Sequence, residues 1–435
     1  MYYAIYSKMG DGMSWWKRLQ DEGHTVLVYI HDQPMQRIGE GIVPKTNNQA
    51  QWLAWGKLHK AVFFFDLSGC GEMADQLRKG GHLVVGGCKF FDKLEKERAW
   101  SEELHKSIGI LAPETKEFKT IGDAMKFAQT KGDDKVWVFK SNKFLDASST
   151  YMSQDSGDLV RYLTYVRNRW GDNISNILQE KLDGIAFSTA RWWNGRSFVG
   201  PFEATVEHKK FMDGDVGPAT GCSFNCIWFY RNEFPDIARQ LHWDKLDDVF
   251  RKYEAAPGLY DINALISKDD NMPYFLESTP RCGYDSEPTS QKGISDLGKL
   301  LYNLATAQPV DDLFDRTRYF DSIRLSVEPY PWEFSNDPKK SCLDTPVWGN
   351  DGLWEGHFIG YALRQDPKLG LVLADPLGCI GLSSAAGKDP LSPFKTCYAF
   401  VKDKLQVPNL QYRTDAEKCV QADLKQVSAL GYDTR

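Results

Sequence analysis

The sequence predicts an α/β protein with a parallel sheet in its first domain and a small strand-rich domain at its end. The first 95 residues alternate short apolar strands with short helices, which is typical of a parallel sheet covered on both faces. From Pro113 to about Val310, helices mix with strands that look antiparallel. From about Asp321 onward, strands are separated by prolines. The chain is therefore expected to form three domains.

In the first domain, predicted strands and helices follow one another through short turns. The strands are Tyr2–Ser7, Thr25–His31, Ala61–Asp66 and His82–Gly86, and helices span Met13–Glu22 and the segment from Gly71 to Lys79. A turn at Gly10-Asp11-Gly12 follows the first strand, but Trp15 stands where a dinucleotide-binding loop has its third glycine. An ordinary tight turn is therefore favoured over a dinucleotide site.

A charged helix at Leu94–Lys106 is predicted to leave the first domain. Further helices are predicted at Ile121–Thr130, Leu159–Arg169, Phe234–Arg239, Lys245–Ala256 and Gly293–Ala307. Strands in the middle are predicted at Lys135–Lys140, Asn176–Lys181, Ala186–Trp193, Arg196–Val199, Glu203–Val206, Gly258–Ile266 and Tyr274–Glu277. The last part has predicted strands at Ser322–Val327, His357–Leu363, Leu371–Leu373 and Cys397–Val401.

The composition excludes several classes of function. The chain has 435 residues with a net charge of −6, which argues against a protein that binds nucleic acid through electrostatics. No apolar run approaches the length of a membrane span, and the N-terminus is predicted to be a strand rather than a signal peptide. The nine cysteines include no CxxC pair, so we expect free thiols in a reducing cytoplasm. A monomer or homodimer is expected.

The segment Glu207–Gly221, EHKKFMDGDVGPATG, is the most informative stretch of the sequence. It holds two lysines, one histidine and three acids among glycine and proline residues. Such a composition is poor for a strand or helix, and it favours an ordered loop that grips an anion.

Two downstream strands carry oxygen ligands. Alternation along LYDINALI puts Asp261 and Asn263 on one face, and Glu277 and Thr279 share a face of the next strand. Carboxylate, amide and hydroxyl oxygens suit one or two Mg²⁺ ions. The alternative interpretation is a polar outer face of a sheet.

Two further features suit a nucleotide. Lys140 ends an apolar strand, where a cation could hold a phosphate, although such a lysine more often reaches solvent. The strand that ends at Gln179-Glu180-Lys181-Leu182 precedes a turn, where backbone groups could contact an adenine edge.

Taken in order, these pieces resemble the ATP-grasp enzymes, and among them phosphoribosylamine–glycine ligase. That family has a DHKR..D.D.GP.TGGMG loop and an EFN.RFGDPE strand, and this chain has EHKKFMDGDVGPATGCSF and LESTPRCGYDSE. LEKERAW resembles the family's LEGSKAF, Glu328–Pro331 its GYP turn, and Leu410–Asp415 its closing YRKDIG motif. The resemblance implies a Rossmann-like domain at 1–95, an ATP-grasp domain at 96–315 and a C-terminal domain at 316–435.

The resemblance implies a ligase in which ATP activates a carboxylate as an acyl phosphate, and an amine then attacks it to give an amide. ATP and Mg²⁺ (or Mn²⁺) would be the cofactors. It implies ATP binding by Arg98, Lys140, Gln179, Glu180, Leu182 and Lys209, and metal binding by Glu277, Thr279 and Asp261. It implies catalytic roles for Arg281, Lys209 and Asp215, and substrate binding by His208, Asp213, Gly217, Thr220, Gly221 and Arg281.

The departures from the family pattern bear on the substrate. The family's glycine-rich lid aligns with FLDASSTY, so its lysine is replaced by Ser149, a loss that Lys143 could offset. Its DGEEAS is DGIAFS here, and its metal-binding asparagine is Thr279. The N-terminal GNGGREHA and the GPE.PL loop are absent, with Phe65–Met73 in place of the latter.

Three hypotheses remain open at this stage. The first is a ligase with an altered acceptor, which would join an amino acid or other small carboxylate to an amine, for example on a nucleotide or modified base. The second is the genuine phosphoribosylamine–glycine ligase. The third is an ATP-binding protein without ligase activity, which the missing lid lysine would favour.

Overall fold

A computed structural model of the chain describes residues 1–131, 135–142, 150–283, 285–331, 341–349 and 356–434. Ser149, Lys143 and most of the segment FLDASSTY, which the resemblance aligns with the family's lid, lie outside these residues. In the described part of the chain, no helix combines the length and apolar character that crossing a bilayer requires.

The first part of the chain is a parallel α/β unit. Its elements are β1 (Tyr2–Ser7), α1 (Met13–Asp21), β2 (Thr25–Ile30), β3 (Lys45–Thr46), α2 (Gln49–Leu58), β4 (Val62–Phe65), α3 (Gly71–Lys79), β5 (Val84–Val85) and α4 (Lys89–Lys96). The five strands pair in parallel in the order β3-β2-β1-β4-β5. The parallel sheet predicted from the alternation is confirmed, and the sequence analysis missed β3 and α2.

The middle part follows with strands of two sheets and their helices. Its elements are α5 (Arg98–Ser107), β6 (Thr115–Phe118), α6 (Ile121–Lys131), β7 (Trp137–Ser141), β8 (Thr150–Met152), α7 (Ser156–Trp170), β9 (Asn176–Glu180), β10 (Gly184–Trp193), β11 (Phe198–Met212), β12 (Val216–Phe229), α8 (Asp236–Gln240), α9 (Trp243–Lys252), β13 (Gly258–Ser267), β14 (Pro273–Thr279), α10 (Ser286–Ser290) and α11 (Leu297–Ala305).

The described residues of the last part form five strands and two helices. They are β15 (Tyr319–Ser326), β16 (Phe358–Ile359), β17 (Leu363–Asp366), β18 (Gly370–Leu373), β19 (Cys379–Gly387), α12 (Ser392–Asp403) and α13 (Ala416–Ala429). The strand pair β17-β18 forms a small sheet of its own.

Two antiparallel sheets organise the middle and last parts. A four-stranded sheet has the order β6-β9-β7-β8, and an eight-stranded sheet has the order β14-β13-β10-β11-β12-β15-β19-β16. Because β15 pairs with β12, the strands of the last part extend the central sheet. The core beneath them is rich in aromatic residues, which accounts for much of the tryptophan content; the largest fully buried side chains include Trp15, Trp16, Trp52, Trp193, Trp228 and Trp243.

The predicted loop at Glu207–Gly221 is wrong, because this segment is a long β-hairpin. Strands β11 and β12 run almost to its tip, where Met212 pairs with Val216. Gly214 and Asp215 adopt positive φ angles of 74° and 55°, which allows the tight reversal. The polar composition reflects the partial solvent exposure of the hairpin, and not an absence of strand structure.

Three other predictions need correction. The helix predicted at Leu94–Lys106 is two helices, α4 and α5, separated at Glu97, whose φ and ψ of −99° and 71° are not helical. The two strands predicted at Arg196–Val199 and Glu203–Val206 are one strand, β11, which begins at Phe198 and leaves Arg196 and Ser197 in the preceding turn. The strand predicted at Cys397–Val401 lies in helix α12, since its buried residues recur with the three- and four-residue spacing of a helix: Phe394, Cys397, Phe400 and Val401.

Candidate functional site

The predicted metal ligands share one face of β13 and β14. In the register of this antiparallel pair, Asp261 lies opposite Thr279 and Asn263 lies opposite Glu277. The Asn263 amide donates to Asp261 Oδ2 at 3.1 Å and to Thr279 Oγ1 at 3.0 Å. The Ser188 hydroxyl donates to Asn263 Oδ1 at 3.1 Å. The two strands therefore gather carboxylate, amide and hydroxyl oxygens in one small area.

Cations surround Glu277. Lys209 Nζ lies 3.6 Å from Glu277 Oε1, and Arg98 Nη2 lies 3.8 Å from Glu277 Oε2. Burial raises the pKa of Glu277, but Lys209, Arg98, Lys140 and Arg281 outweigh that effect and lower the pKa to about 2. Glu277 is therefore ionised throughout the physiological pH range.

Among the described residues, Asp261 forms no ion pair, although the charge of Lys209 acts to lower its pKa. Its Oδ1 atom is buried and has no hydrogen-bond partner among the described residues. Burial raises its pKa well above the ordinary value, and the nearby Glu287 and Glu207 add to that effect. An unpaired buried carboxylate oxygen is costly, and a bound cation would remove the cost. The oxygens of Glu277, Thr279 and Asp261 thus fit the hard, oxygen-preferring Mg²⁺ ion.

Lys209 is held toward Glu277 by a second acid of the hairpin. Its Nζ lies 3.0 Å from Glu207 Oε1, and Glu207 is the main reason why the pKa of Lys209 lies above its ordinary value. Burial opposes this effect, and Glu277 supports it. Lys209 therefore carries its charge at neutral pH.

The predicted nucleotide residues lie in the four-stranded sheet. Lys140 Nζ on β7 donates to Gln179 Oε1 on β9 at 2.8 Å, and Gln179 is buried. Glu180 Oε2 accepts from Lys135 at 3.0 Å, and Leu182 is half-buried just after the end of β9. Lys140 also belongs to the cations that lower the pKa of Glu277, so this sheet adjoins the oxygen-rich face.

Arg281 is fixed by an acid that the sequence analysis did not single out. Its Nε donates to Glu95 Oε1 on α4 at 2.8 Å, and its Nη1 donates to the carbonyl of Cys282 at 3.1 Å. The side chain is only 16% exposed. Because Glu95 lies in a different part of the chain, no local pattern could have indicated this contact.

His208 and Asp215 are held by the C-terminal part of the chain. His208 Nε2 lies 2.6 Å from Asp423 Oδ2, and His208 Nδ1 lies 2.9 Å from Asp215. Arg413 Nη1 donates to Asp215 Oδ1 at 2.6 Å, and its Nη2 to Asp415 Oδ2 at 2.8 Å. We call this group of five residues the hairpin clasp. The polar atoms of His208 and Asp215 are thus already engaged within the clasp. Their predicted substrate-binding and catalytic roles remain predictions.

The other predicted residues of the hairpin stabilise its own structure. Asp213 accepts from the backbone N–H of Thr414 at 2.9 Å. The Thr220 hydroxyl donates to the Lys209 carbonyl at 2.8 Å, and the Gly217 carbonyl accepts from Lys210 Nζ at 3.0 Å. Gly221 is exposed on β12. Their proposed substrate contacts also remain predictions.

Comparisons with known proteins agree with this geometry. Residues 96–227 match the family model of the ATP-grasp (A) domain of phosphoribosylglycinamide synthetase. The chain is 30% identical over 150 residues to phosphoribosylamine–glycine ligase of Methanosarcina barkeri, covering 34% of each chain. It is 20% identical over 213 residues to the same enzyme of Halalkalibacterium halodurans, covering 47% of this chain and 49% of the relative. The match thus spans between a third and a half of these curated relatives.

Solved structures extend the likeness over nearly the whole chain. Phosphoribosylamine–glycine ligase of Thermotoga maritima superposes with a TM-score of 0.70 at 16% identity, covering 95% of this chain and 100% of that one. Biotin carboxylase of Campylobacter jejuni superposes with a TM-score of 0.60 at 11% identity, covering 99% and 97%. At these identities the likeness shows the fold.

The chain has an ATP-grasp fold, and its residues 96–227 match an ATP-grasp domain. By sequence and by fold, it resembles phosphoribosylamine–glycine ligase at low identity. The resemblance predicted from the sequence is confirmed.

Replacing Arg413 with alanine should destabilise the protein. The side chain is 1% exposed, joins Asp215 to Asp415, and lies 4.7 Å from the ring of Phe224. Its removal would take the arginine cation away from both acids, so we expect a loss of about 2–3 kcal/mol in the free energy of unfolding. Denaturant titration measures it. Lys395→Ala, which breaks an exposed pair with Glu417, is the control and should change little. Equal losses in both variants would contradict this role.

His208 should make stability depend on pH. Burial lowers the pKa of His208, but Asp423 and Asp215 outweigh it and raise the pKa above 6.5. The folded state therefore binds the proton more tightly than the unfolded state, and the contribution is complete below pH 6.5. It is lost as the pH rises through the folded pKa. Denaturant titration of the wild type and His208→Gln from pH 6 to 9 should show two curves that converge at high pH. Parallel curves would refute the prediction.

Proposed function

We propose that this protein is an ATP-dependent ligase that joins a carboxylate to an amine. The observation that supports this proposal most strongly is Glu277, an acid that four nearby cations keep ionised beside the oxygen-rich face of β13 and β14. Such a site can neutralise the phosphates of ATP and the metal ion that accompanies them. The free cysteines are consistent with a cytoplasmic location, which we also propose.

In the proposed reaction, a carboxylate oxygen attacks the γ-phosphorus of ATP, and ADP leaves. The amine nitrogen then attacks the acyl carbon, phosphate leaves, and the nitrogen loses a proton to give the amide. Lys140 and Arg98 would bind the ATP phosphates, and Gln179, Glu180 and Leu182 would border the adenine. Arg281, held by Glu95, would orient the carboxylate and its acyl phosphate.

Glu277, Thr279 and Asp261 would hold the metal ion. Mg²⁺ or Mn²⁺ bound there would offset the charge that develops on the transferred phosphoryl group. Asn263 orients two of these ligands, since its amide donates to both Asp261 and Thr279.

The acceptor distinguishes two forms of this proposal. The altered N-terminal loops favour an amine other than phosphoribosylamine, such as an amine on a nucleotide or modified base. Synthesis from glycine and phosphoribosylamine is the second candidate, and the structural likeness to phosphoribosylamine–glycine ligase supports it. An ATP-binding protein without ligase activity is the remaining alternative.

The first test is ADP release with Mg·ATP across a panel of amino acids and amines that includes glycine with phosphoribosylamine. We expect Glu277→Gln to lower the rate by roughly a hundredfold and to weaken the thermal shift caused by Mg·ATP. Glu103→Gln, an exposed acid on α5, is the matched control and should behave like the wild type. Thermal stabilisation by Mg·ATP without ADP release from any pair would favour the binding protein.

Affinity for Mg·ATP should fall at high pH because of Lys140. Burial lowers the pKa of Lys140 to about 8, and Glu277 only partly opposes this effect. The protonated lysine binds phosphate, so the Kd of Mg·ATP should rise as the pH increases through 8, by up to about tenfold per pH unit. Arginine keeps its charge, so Lys140→Arg should flatten this dependence. Calorimetric titration at pH 7, 8 and 9 checks it. The same pH dependence in both proteins would exclude Lys140 as its source.

A further inference from the structure

A cleft of about 340 Å³ opens between the tip of the β11–β12 hairpin and the segment between α12 and α13. We call it the tip cleft. Phe211 and Met212 line it on the hairpin side, and Leu410, Gln411 and Tyr412 line it on the other side. Its volume lies in the range of clefts that hold small molecules in proteins.

Hydrogen bonds hold both sides of the tip cleft in place. The backbone of Gln411 pairs with that of Ser326 at the end of β15, with N–H to carbonyl distances of 2.7 and 3.0 Å. Asp213 accepts from the backbone N–H of Thr414 at 2.9 Å, which joins the hairpin tip to the opposite side. The cleft is therefore largely formed in the absence of a ligand, which favours binding.

Aromatic rings form part of both sides. The centroid of the Phe211 ring lies 5.9 Å from that of Tyr330, and the centroid of the Tyr412 ring lies 6.3 Å from that of Tyr398. Each ring of the lining thus packs against a second ring, which limits its movement. Flat rings held in this way favour a planar aromatic ligand, which can stack on them.

The polar groups of the lining favour a neutral ligand with a hydrogen-bond donor. Gln411 Oε1 is buried and accepts no hydrogen bond from the described residues. Buried polar atoms are rarely left unsatisfied, so an N–H of a ligand would be favourable there. Asp213, the only charged residue of this lining in the part of the chain that the structure describes, also accepts from the Thr414 hydroxyl. A charged ligand would therefore find no free counterion in the lining.

The tip cleft begins close to the proposed ATP-grasp site. Phe211 lies two residues beyond Lys209 on β11, so their backbones are about 7 Å apart along the strand. Lys209 Nζ in turn lies 3.6 Å from Glu277 Oε1. A molecule of nucleoside size that contacts Phe211 would therefore extend toward the site along the hairpin.

We propose that the tip cleft binds a neutral heteroaromatic ring of nucleobase size, in contact with Phe211 and Tyr412, whose N–H donates to Gln411 Oε1. In the proposed ligase, this ring belongs to the amine acceptor, which is then a nucleoside or a modified base. The use of the cleft by an acceptor rests on the proposed function, whereas the preference for such a ring is a property of the cleft itself.

The test observes the tip cleft directly through the methyl group of Met212, whose side chain is 51% exposed. The full-length protein is labelled with carbon-13 at its methionine methyl groups, and Met212→Leu identifies the signal. Two matched pairs of nucleosides are titrated with the ATP site filled by Mg·ADP: cytidine with its dimethylamino analogue, and adenosine with its dimethylamino analogue. Within each pair, only the N–H donors of the exocyclic amine are lost.

An aromatic ring bound in the cleft should shift the Met212 methyl resonance through its ring current. We expect cytidine or adenosine to cause this shift, and to bind about tenfold more tightly than its dimethylamino analogue. The signal of Met152, which is 48% exposed on β8, is the internal control and should not move.

Two variants separate the ring contact from the hydrogen bond. Tyr412→Leu should weaken binding of both members of a pair by about tenfold, because it removes a stacking surface. Gln411→Met keeps the length of the side chain but removes the acceptor, so it should abolish the preference within the pair. A purely structural role would not give these two different results. Tyr165→Leu, at a tyrosine of α7 that is 45% exposed, is the matched control and should bind like the wild type.

Three results would overturn the inference. They are a Met212 signal that moves with neither nucleoside, equal affinities within both pairs, and unchanged binding in Tyr412→Leu. A shift at lower concentration with N-acetyltryptophanamide than with either nucleoside would assign the cleft to an aromatic side chain of another protein, and would overturn it as well.

The tip cleft and the ligase proposal can fail separately. Nucleoside binding at the cleft, without ADP release from any amine, would support the cleft and refute the ligase. In an active ligase, Tyr412→Leu should raise the KM of the acceptor by about tenfold with little change in kcat. An unchanged KM would leave the ligase intact and overturn the use of the cleft by the acceptor.

Discussion

Glu277 is an ionised carboxylate near four cations, and each of these cations lies on, or just after, a different helix or strand. Arg98 begins α5, Lys140 lies on β7, Lys209 lies on β11, and Arg281 follows β14. Lys209 is also paired with Glu207 and Arg281 with Glu95, so the positive charge that a phosphate would meet in the proposed role is mainly that of Arg98 and Lys140. The four-stranded sheet, the eight-stranded sheet and helix α5 must therefore all be folded before the four cations surround Glu277.

The hairpin connects stability to this site through neighbouring residues. Consecutive side chains of a strand point to opposite faces, so His208 and Lys209 contact different parts of the molecule. His208 joins Asp423 in the clasp, whereas Lys209 lies near Glu277. The C-terminal helix α13 thus fixes the strand that carries a cation of the site. Holding the hairpin from outside leaves the inner face available for ligands, which is how a polar, half-exposed strand can contribute an ordered cation.

Periodic patterns in the sequence predicted the parts of the fold that depend on local structure. Alternation placed Asp261 with Asn263 and Glu277 with Thr279, and their pairing on β13 and β14 is as expected. The hairpin was missed because its polar residues meet solvent, so composition indicated a loop. The strand predicted at Cys397–Val401 came from a window too short to show the helical spacing of α12. Contacts such as Arg281 with Glu95, or His208 with Asp423, join residues 186 and 215 positions apart, and no local pattern encodes them.

Glu277 on one side, and Asp11 and Asp66 on the other, have pKa values that are shifted in opposite directions. At Glu277 the nearby cations outweigh burial and the pKa falls to about 2, whereas at Asp11 and Asp66 burial prevails and the pKa values rise to about 8 and 7. Arg281 acts on Asp11 and on Glu277, so the same side chain borders both settings. In the proposed ligase reaction, Arg281 would therefore bring its charge to the edge of the Glu277 site that is nearest to Asp11.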